Sequence, residues 1–369
     1  MSGQHAPDPG RRSERSHQAI LDAAFALIQE GGYGRLTIEA IAARAGVGKQ
    51  TIYRWWGSRG AVTLEALVQM AGTAIAFPDT GDVGADLCTQ MSAVIRLMAD
   101  PVIGPAYAGL IADSQFDPVM ADVLYGRFIG PRISACAKRL EAGQTRGQVD
   151  AAIDLRVTAE LLFGAIYHRL LLHSGPLTTD YVGTVVDMVM RGLAAPRPGG
   201  GGAQHGGREQ DPPSTTAAAS LGPRSRDAIL HAAYELCGEQ GFGALTTEAV
   251  AARAKVGKQT IYRWWPSKGA VVLDALLGVL QGDVTYPDTG DIAADLRARL
   301  HTLVPLYTSS DFGPIYRGLI AESQFDARLA EDLYGRLIGP RMAACRRRLA
   351  RAQEQGQVAN SLDLQCITE

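Results

Sequence analysis

The chain has 369 residues and is 46% hydrophobic, which is enough apolar material for a packed core and too much for a chain that is disordered throughout. At about 100–200 residues per domain, the length fits two domains or two copies of a smaller protein. The net charge of -2, from 36 basic and 38 acidic residues, excludes a polybasic coat for nucleic acid.

The sequence lacks the usual signals for a membrane or for secretion. No apolar run approaches the ~18 residues that a membrane-spanning helix needs. The N-terminal segment MSGQHAPDPGRRSER is polar and has no apolar core region of a secretory signal. The 5 cysteines form no CxxC pair, so we expect reduced thiols. These features predict a cytoplasmic protein with no membrane partner.

The first predicted elements are four helices, because apolar residues recur at helical spacing. Gly31 and Gly32 are predicted to end the first helix. Thr37 is predicted to cap the second, a tight turn at Gly46 to lead into the third, and Ser58 to cap the fourth. The predicted spans are about 13–30, 38–45, 48–54 and 59–76.

Longer helices follow, and proline and glycine separate them. No long stretch alternates apolar with polar residues, so no strand is predicted. The predicted spans are about 82–98, 104–114, 118–143, 153–174 and 178–193.

The second and third helices fit a helix-turn-helix, whose second helix enters the major groove of DNA. That helix carries suitable side chains here. Glutamine pairs bidentately with adenine, threonine contacts base edges, and lysine, arginine and tyrosine hold phosphates. The candidate residues are Lys49, Gln50, Thr51, Tyr53 and Arg54.

The chain is a tandem repeat. The segment GKQTIYRWW occurs at 48–56 and again at 257–265, an offset of 209 residues. The same offset relates PDTGD, SQFD, LYGR, IGPR and GQV. Residues 41–60 are identical at 16 of 20 positions in the second copy. The predicted fold class is therefore all-α, with two tandem units, copy 1 and copy 2, that each place a three-helix head on a larger helical body.

A stretch rich in Gly, Pro, Ser and Ala lies between the copies and is predicted to be a flexible linker. Copy 1 continues beyond Glu160, whose counterpart is Glu369, so we expect copy 2 to lack the last helices of copy 1. The predicted domains are the copy-1 head 12–60, the copy-1 body 61–195, the linker 196–222, the copy-2 head 223–269 and the copy-2 body 270–369.

The heads are basic although the whole chain is slightly acidic. Residues 11–60 hold eight basic and four acidic residues, a net charge of +4, and residues 224–269 reach +3 with seven and four. This segregation is expected of a DNA-binding head on a more acidic body.

These segments resemble the TetR/AcrR family of bacterial transcriptional regulators. The family's turn, its helix with T-x-Y and an aromatic, and its Ser-Lys start of the fourth helix stand here as AGVGKQTIYRWWGSRGAV (45–62) and AKVGKQTIYRWWPSKGAV (254–271). The resemblance covers copy 1 and all of copy 2 except its tail. It implies a repressor that binds a palindromic double-stranded DNA operator and is released by a small-molecule effector.

The resemblance also implies residue roles in both copies. Residues of the third helix would face DNA, Thr37, Arg59 and Lys268 would touch phosphates, and Trp56 and Trp265 would be core aromatics. Trp55 and Trp264 either stack on the DNA backbone or cover the core. With their equivalents, the expected DNA-binding residues are Thr37, Lys49, Gln50, Thr51, Tyr53, Arg54, Arg59, Thr246, Lys258, Gln259, Thr260, Tyr262, Arg263 and Lys268.

Two positions depart from the family pattern. Gly48 and Gly257 replace a Ser or Thr cap, so the recognition helices have no side-chain cap. Lys255 replaces the glycine of the copy-1 turn, and a lysine at positive φ costs about 1 kcal/mol. Copy 2 is therefore expected to have a slightly looser head.

The body is expected to bind an effector that the sequence does not identify. Apolar helical positions that either line a pocket or belong to the plain core are Tyr107, Leu110, Phe116, Met120 and Phe128. Because no catalytic motif occurs, we expect no enzyme activity, no cofactor and no metal.

Other polar groups favour structural interpretations. His168 and His173 are spaced i, i+5 and so lie on different helix faces. Cys136 and Cys345 favour buried small side chains over a redox sensor. The aspartates beside proline and glycine are predicted to be turn and capping residues. They are Asp79, Asp82, Asp288 and Asp291.

Two assemblies remain open. Helices at about 153–193 are expected to form a homodimer through copy 1, with copy 2 as a tethered extra head. Alternatively, the two copies pair within one chain as a pseudo-dimer, or the sequence is truncated. A rival to the regulator is a helical ligand-binding or protein-interaction module that no longer binds DNA, but the intact KQTIYRWW in both copies favours DNA.

Overall fold

The structure is a computed structural model that describes residues 9–71, 77–193, 223–280 and 285–369. All regular elements in these ranges are helices, and they form two compact units that follow the two copies. The chain is therefore all-α, as predicted. The predicted linker 196–222 and the end of the predicted fourth helix, 72–76, lie outside the described residues.

Copy 1 has a 3-10 turn at Tyr33–Arg35 and a π-helical turn at Tyr125–Ile129. Its helices are α1 (Pro9–Gly31), α2 (Ile38–Ala45), α3 (Lys49–Trp55), α4 (Arg59–Ala71), α5 (Val83–Met98), α6 (Ile103–Ser114), α7 (Pro118–Leu124), α8 (Gly130–Thr145), α9 (Leu155–Leu172) and α10 (Thr179–Leu193).

Copy 2 follows the same order and has its π-helical turn at Tyr334–Ile338. Its helices are α11 (Pro223–Gln240), α12 (Thr247–Arg253), α13 (Lys258–Tyr262), α14 (Lys268–Val279), α15 (Ile292–Thr308), α16 (Phe312–Ser323), α17 (Ala327–Leu333), α18 (Gly339–Glu354) and α19 (Leu364–Thr368).

Short polar side chains cap the helices where the sequence predicts it. The side chains of Thr37, Ser58 and Asp82 each accept a hydrogen bond from the amide three residues on, at 3.1, 3.2 and 3.0 Å. Gly32, just past the end of α1, has a φ of 74°. These contacts satisfy amides that a helix start leaves without a partner.

The predicted helix over 118–143 is interrupted, which corrects that prediction. The amide of Gly130 bonds the carbonyl of Tyr125, five residues earlier, and Pro131 follows directly. Proline has no amide hydrogen and its ring collides with the carbonyl four residues before it, so the chain widens into a π-helical turn. Copy 2 repeats this turn at the same IGPR motif.

A buried ion pair joins α5 to α8. Arg139 Nε donates to Asp86 Oδ2 at 2.6 Å, and the Thr80 hydroxyl donates to Asp86 Oδ1 at 2.7 Å. Burial alone would raise the pKa of Asp86, but these hydrogen bonds outweigh it and leave the pKa below its ordinary value. Asp295 and Arg348 form the same pair in copy 2. The pair fixes the PDTGD segment against the body.

No single described helix is long and apolar enough to cross a membrane, and only the bent pair α5 and α6 passes that test together, by length and composition.

Candidate nucleic-acid interface

The turn between α2 and α3 sets the orientation of the third helix. Gly46 has a φ of 67°, and the amide of the next residue, Val47, bonds the carbonyl of Ala42 at 3.0 Å. Glycine takes this left-handed conformation without steric cost. Gly48 then begins α3 with no side-chain cap, as predicted. The turn is thus tight enough to place α3 across α2.

Two side chains anchor α3 to the head. Ile52 is fully buried and Trp56 is 3% exposed. Trp56 Nε1 donates to Glu65 Oε2 at 3.0 Å, and the ring packs 4.7 Å from the ring of His17. Trp265 is buried in the same way and donates to Asp274 at 2.9 Å. Trp56 and Trp265 are therefore core aromatics, as predicted.

The opposite face of each third helix is open to solvent. Tyr53 is 53% exposed and Tyr262 is 48% exposed. Their neighbours on the helix are exposed as well, except for two half-buried threonines, Thr51 and Thr260. The exposed neighbours are Lys49, Gln50, Arg54, Lys258, Gln259 and Arg263. Cationic, amide and phenolic groups thus share one accessible face, and such a face can contact phosphates and base edges.

The lysine that begins each third helix is paired with a glutamate of the preceding helix, which the sequence analysis missed. Lys49 Nζ lies 3.0 Å from Glu39 Oε1, and Lys258 pairs with Glu248. The hydrogen bond raises the pKa of Lys49 above its ordinary value. Both partners are exposed, so a phosphate can compete for the lysine at little cost.

Lys255 adopts the strained conformation predicted for it. Its φ is 55°, where Gly46 of copy 1 has 67°. The neighbouring helices α12 and α13 end at Arg253 and Tyr262, and they have 7 and 5 residues. Their copy-1 equivalents, α2 and α3, have 8 and 7. The looser copy-2 head stays a prediction.

Arg59 contacts the copy-1 body as well as its own head, whereas Lys268 contacts its own head. Arg59 Nη2 lies 3.2 Å from Asp113 Oδ2 on α6, and its Nη1 donates to Leu36 O at 3.0 Å. Lys268 Nζ lies 3.5 Å from Phe242 O. Each cation already has a partner within the protein, so the phosphate contact of these two residues stays a prediction.

Tyr33 completes this contact between the copy-1 head and body. Its hydroxyl donates to Asp113 Oδ2 at 2.5 Å, and Arg59 lies over its ring at 4.9 Å. Burial and the bond to Asp113 raise the pKa of Tyr33. We call Tyr33, Arg59 and Asp113 the copy-1 junction. The boundary predicted at residue 60 falls within the first turn of α4, which the junction connects to α6.

Four of the five predicted pocket residues are buried in the copy-1 body, at 3% exposure or less. Phe116 differs and is 48% exposed, because it lies at the corner between α6 and α7. A small crevice between α5, α9 and α10 is lined by other residues. They are Met91, Leu162, Ile166, Tyr181, Val182, Val185 and Val186. The effector pocket therefore stays a prediction, and Phe116 does not share the interior with the other four.

Several polar groups that the sequence singled out in the bodies have structural roles. Asp82 and Asp291 cap α5 and α15, as predicted. Asp79 pairs with Arg146 at 2.9 Å. Cys136 is fully buried, and burial raises the pKa of its thiol to about 12. No group of three or more possible metal ligands occurs among the described residues.

An exposed polar recognition helix on a helix-turn-helix, above an all-helical body, defines a class of DNA-binding regulators. Family comparisons agree with that class in both copies. The model described as "Bacterial regulatory proteins, tetR family" matches residues 20–66 and 229–275. The model described as "Tetracyclin repressor-like, C-terminal domain" matches residues 77–189 and 286–369. The chain belongs to the TetR family of transcriptional regulators and contains two copies of its fold.

Relatives show the same relation. The chain is 33% identical over 184 residues to the uncharacterized HTH-type transcriptional regulator YdeS of Bacillus subtilis, covering 50% of this chain and 92% of that protein. It is 29% identical over 189 residues to the DNA-binding transcriptional repressor TetR of Mycobacteroides abscessus, covering 51% of this chain and 97% of that protein. The solved structure of TetR family transcription regulator SCO0332 is 32% identical, with a TM-score of 0.44, and covers 49% of this chain and 100% of its own. Each relative is about as long as one copy.

Proposed function

We propose that this protein is a cytoplasmic transcriptional repressor that binds a palindromic operator through both heads and is released by a small-molecule effector in its helical body. The observation that carries the proposal is the exposed face of KQTIYRWW, which both heads present with the same residues exposed. Because the recognition residues are identical, both heads read the same half-site. A TetR-family relative named as a repressor supports the direction of regulation.

The DNA contacts of the proposal divide into two kinds. Gln50 and Gln259 read bases, since an amide pairs bidentately with adenine. Lysine, arginine and tyrosine of the third helices position the heads on phosphates. Thr37 and Thr246 also lie at helix starts, where amides face the backbone of DNA.

We further propose a homodimer through the last helices of copy 1. Val157 and Leu161 on α9 are 50% and 63% exposed, and their i, i+4 spacing places them on one helix face. Apolar side chains of this size on one exposed face are typical of an interface. The expected mass in solution is twice the 39.2 kDa of one chain. A monomeric mass at full operator affinity contradicts the homodimer and supports pairing within one chain.

The test is a DNA-binding titration on the protein's own promoter region at several salt concentrations. The double variant Tyr53→Ala with Tyr262→Ala is expected to abolish specific binding, and each single variant to weaken it. Gln50→Ala is expected to lower discrimination at an adenine by about 1–3 kcal/mol. Phe325→Ala, which removes an exposed aromatic side chain of the copy-2 body, is the control and should leave the affinity unchanged.

Two results contradict the proposal. If the double variant binds DNA with unchanged affinity, the assignment of the DNA-binding face is wrong. Absence of salt-dependent binding in the wild type removes the DNA-binding function, because phosphate contacts release counterions and weaken as salt rises.

A further inference from the structure

The copy-1 body holds an arginine without an acidic partner. Arg132 on α8 lies over the ring of Phe128 at 3.4 Å, and its Nη1 donates to the carbonyl of Phe128 at 2.7 Å. This bond uses one of the five donors of a guanidinium. Among the described residues, no carboxylate lies within ion-pair distance of Arg132. The side chain is half-buried, so its charge is only partly hydrated.

Two tyrosines complete the surroundings of Arg132. The hydroxyls of Tyr107 and Tyr167 lie 3.0 Å apart, and the ring of Tyr107 lies 4.8 Å from that of Phe128. Burial raises the pKa of both tyrosines, so they stay neutral and can donate hydrogen bonds. We call these four residues the Arg132 cluster. Its guanidinium carries a positive charge that no residue of the cluster neutralises.

Copy 2 also has an arginine beside two tyrosines, but one of the tyrosines comes from a different helix. Arg341, at the position of Arg132, donates to the carbonyl of Leu337 at 2.7 Å. The inner tyrosine is kept as Tyr316, and the second tyrosine comes from α15 as Tyr307, with ring centroids 5.0 Å apart. We call these residues the Arg341 cluster. An arginine beside two tyrosines thus recurs although the second tyrosine occupies an unrelated position.

A buried polar atom without a partner lies close to Arg341, and the equivalent position in copy 1 also holds buried polar atoms without partners. Arg299 lies close enough to lower the pKa of Arg341, although burial of Arg341 is the larger cause. Its repeat equivalent in copy 1 is Gln90, which is 1% exposed. Among the described residues, neither amide atom of Gln90 has a hydrogen-bond partner, and the Nε of Arg299 has none either. Such groups cost free energy unless a ligand or water satisfies them.

We propose that the Arg132 cluster and the Arg341 cluster bind the carboxylate of a small apolar organic acid. A guanidinium holds a carboxylate through two parallel hydrogen bonds, and in copy 1 one of the two paired phenolic hydroxyls keeps a free proton to donate. The aromatic rings of the clusters suit an apolar or aromatic ligand body. This inference rests on the proposed function and names the chemical class of its effector.

The experiment uses benzoate and benzamide, which share their shape and differ in charge, titrated calorimetrically into the full chain. Benzoate is expected to bind at least tenfold more tightly than benzamide. The double variant Arg132→Gln with Arg341→Gln should lose at least tenfold in benzoate affinity and keep its affinity for benzamide. Inorganic phosphate should not displace benzoate, because it lacks an apolar body.

The matched control is Arg96→Gln with Arg328→Gln, which removes two exposed arginines and the same total charge. It should leave benzoate binding within twofold of the wild type. If the cluster variant fails to fold, as judged by circular dichroism, a second variant keeps the rings and removes every hydroxyl of both pairs. It combines Tyr107→Phe, Tyr167→Phe, Tyr307→Phe and Tyr316→Phe. That variant should lose benzoate affinity severalfold.

Three results overturn the inference. They are equal binding of the two probes, no benzoate binding at about 10 mM, and full benzoate affinity in the arginine variant. Displacement by phosphate also overturns it. Operator affinity without benzoate is measured on the same samples. If DNA binding is present and the benzoate results fail, only the inference falls, whereas loss of DNA binding in the wild type refutes the proposed function itself.

Discussion

Replacement of Tyr33 by phenylalanine tests the copy-1 junction with little disturbance of packing. Copy 2 carries phenylalanine at this position, Phe242, so the fold accommodates the ring without the hydroxyl. The hydroxyl of Tyr33 donates to Asp113 at 2.5 Å, and a hydrogen bond to a charged group contributes about 1.5–3 kcal/mol. Arg59 bonds the same carboxylate oxygen and remains after the substitution. The expected cost is therefore near 1.5 kcal/mol.

This free energy corresponds to about a tenfold increase in local opening, since 1.4 kcal/mol is a factor of ten. The measurement is hydrogen exchange by mass spectrometry on the full chain. Peptides from α6 and from the 3-10 turn at Tyr33–Arg35 should exchange about tenfold faster. Peptides from α16, the copy-2 equivalent of α6, are the control inside the same molecule and should not change.

The outcome that refutes this reasoning is unchanged exchange in α6, because the hydrogen bond would then contribute nothing to the contact between head and body. An equal increase in α6 and α16 also refutes it, since the effect would be global. The reverse substitution, Phe242→Tyr, should slow exchange in copy 2 only if Glu322 reaches the new hydroxyl.

Three further substitutions have defined outcomes. Gly109→Ala places a Cβ 2.4 Å from the Tyr33 ring and should destabilise the chain by about 1–3 kcal/mol in urea unfolding. Its control is Gly238→Ala, which has open space around the new Cβ and should not destabilise the chain. Lys255→Gly relieves the strain of a lysine in the left-handed conformation, which costs about 1 kcal/mol. It should therefore slow hydrogen exchange in α12 and α13 by up to about fivefold. Faster exchange there would show that the lysine is not strained. Asp86→Asn should cost about 3 kcal/mol at pH 7, because Arg139 keeps a buried charge. The pKa of Asp86 is lowered in the folded state, so its stabilisation is present above about pH 4 and is lost as the pH falls through the lowered value. A urea midpoint that falls on acidification as steeply in Asp86→Asn as in the wild type contradicts this linkage.

Local signals in the sequence predicted most of the fold. Apolar spacing gave the helices, and glycine, proline and capping residues gave their ends, because these effects act within a few residues. The burial of Trp56 and the exposure of Tyr53 were expected from the family resemblance, and the structure shows both. The repeat at an offset of 209 residues made each of these expectations apply twice.

Tertiary contacts were beyond the same signals. Arg59 and Asp113 are 54 positions apart, and periodicity does not tell which helix a side chain meets. The π-helical turn before Pro131 was missed because a proline early in an apolar pattern resembles an ordinary helix start. Phe116 was placed in a pocket by its hydrophobicity alone, although its backbone lies at a corner.

The two heads have the same recognition residues and differ in the residues that hold the recognition helix in place. Lys49 to Trp56 recur unchanged as Lys258 to Trp265, so the proposed base readout is the same in both. Beneath them, the turn changes from glycine to a strained lysine, and the junction loses the hydroxyl of Tyr33. A head with a weaker support spends more time in orientations that do not fit the groove, and its affinity falls by the fraction of competent states. We therefore expect the two copies to share one sequence preference and to differ in affinity, with copy 1 the tighter head.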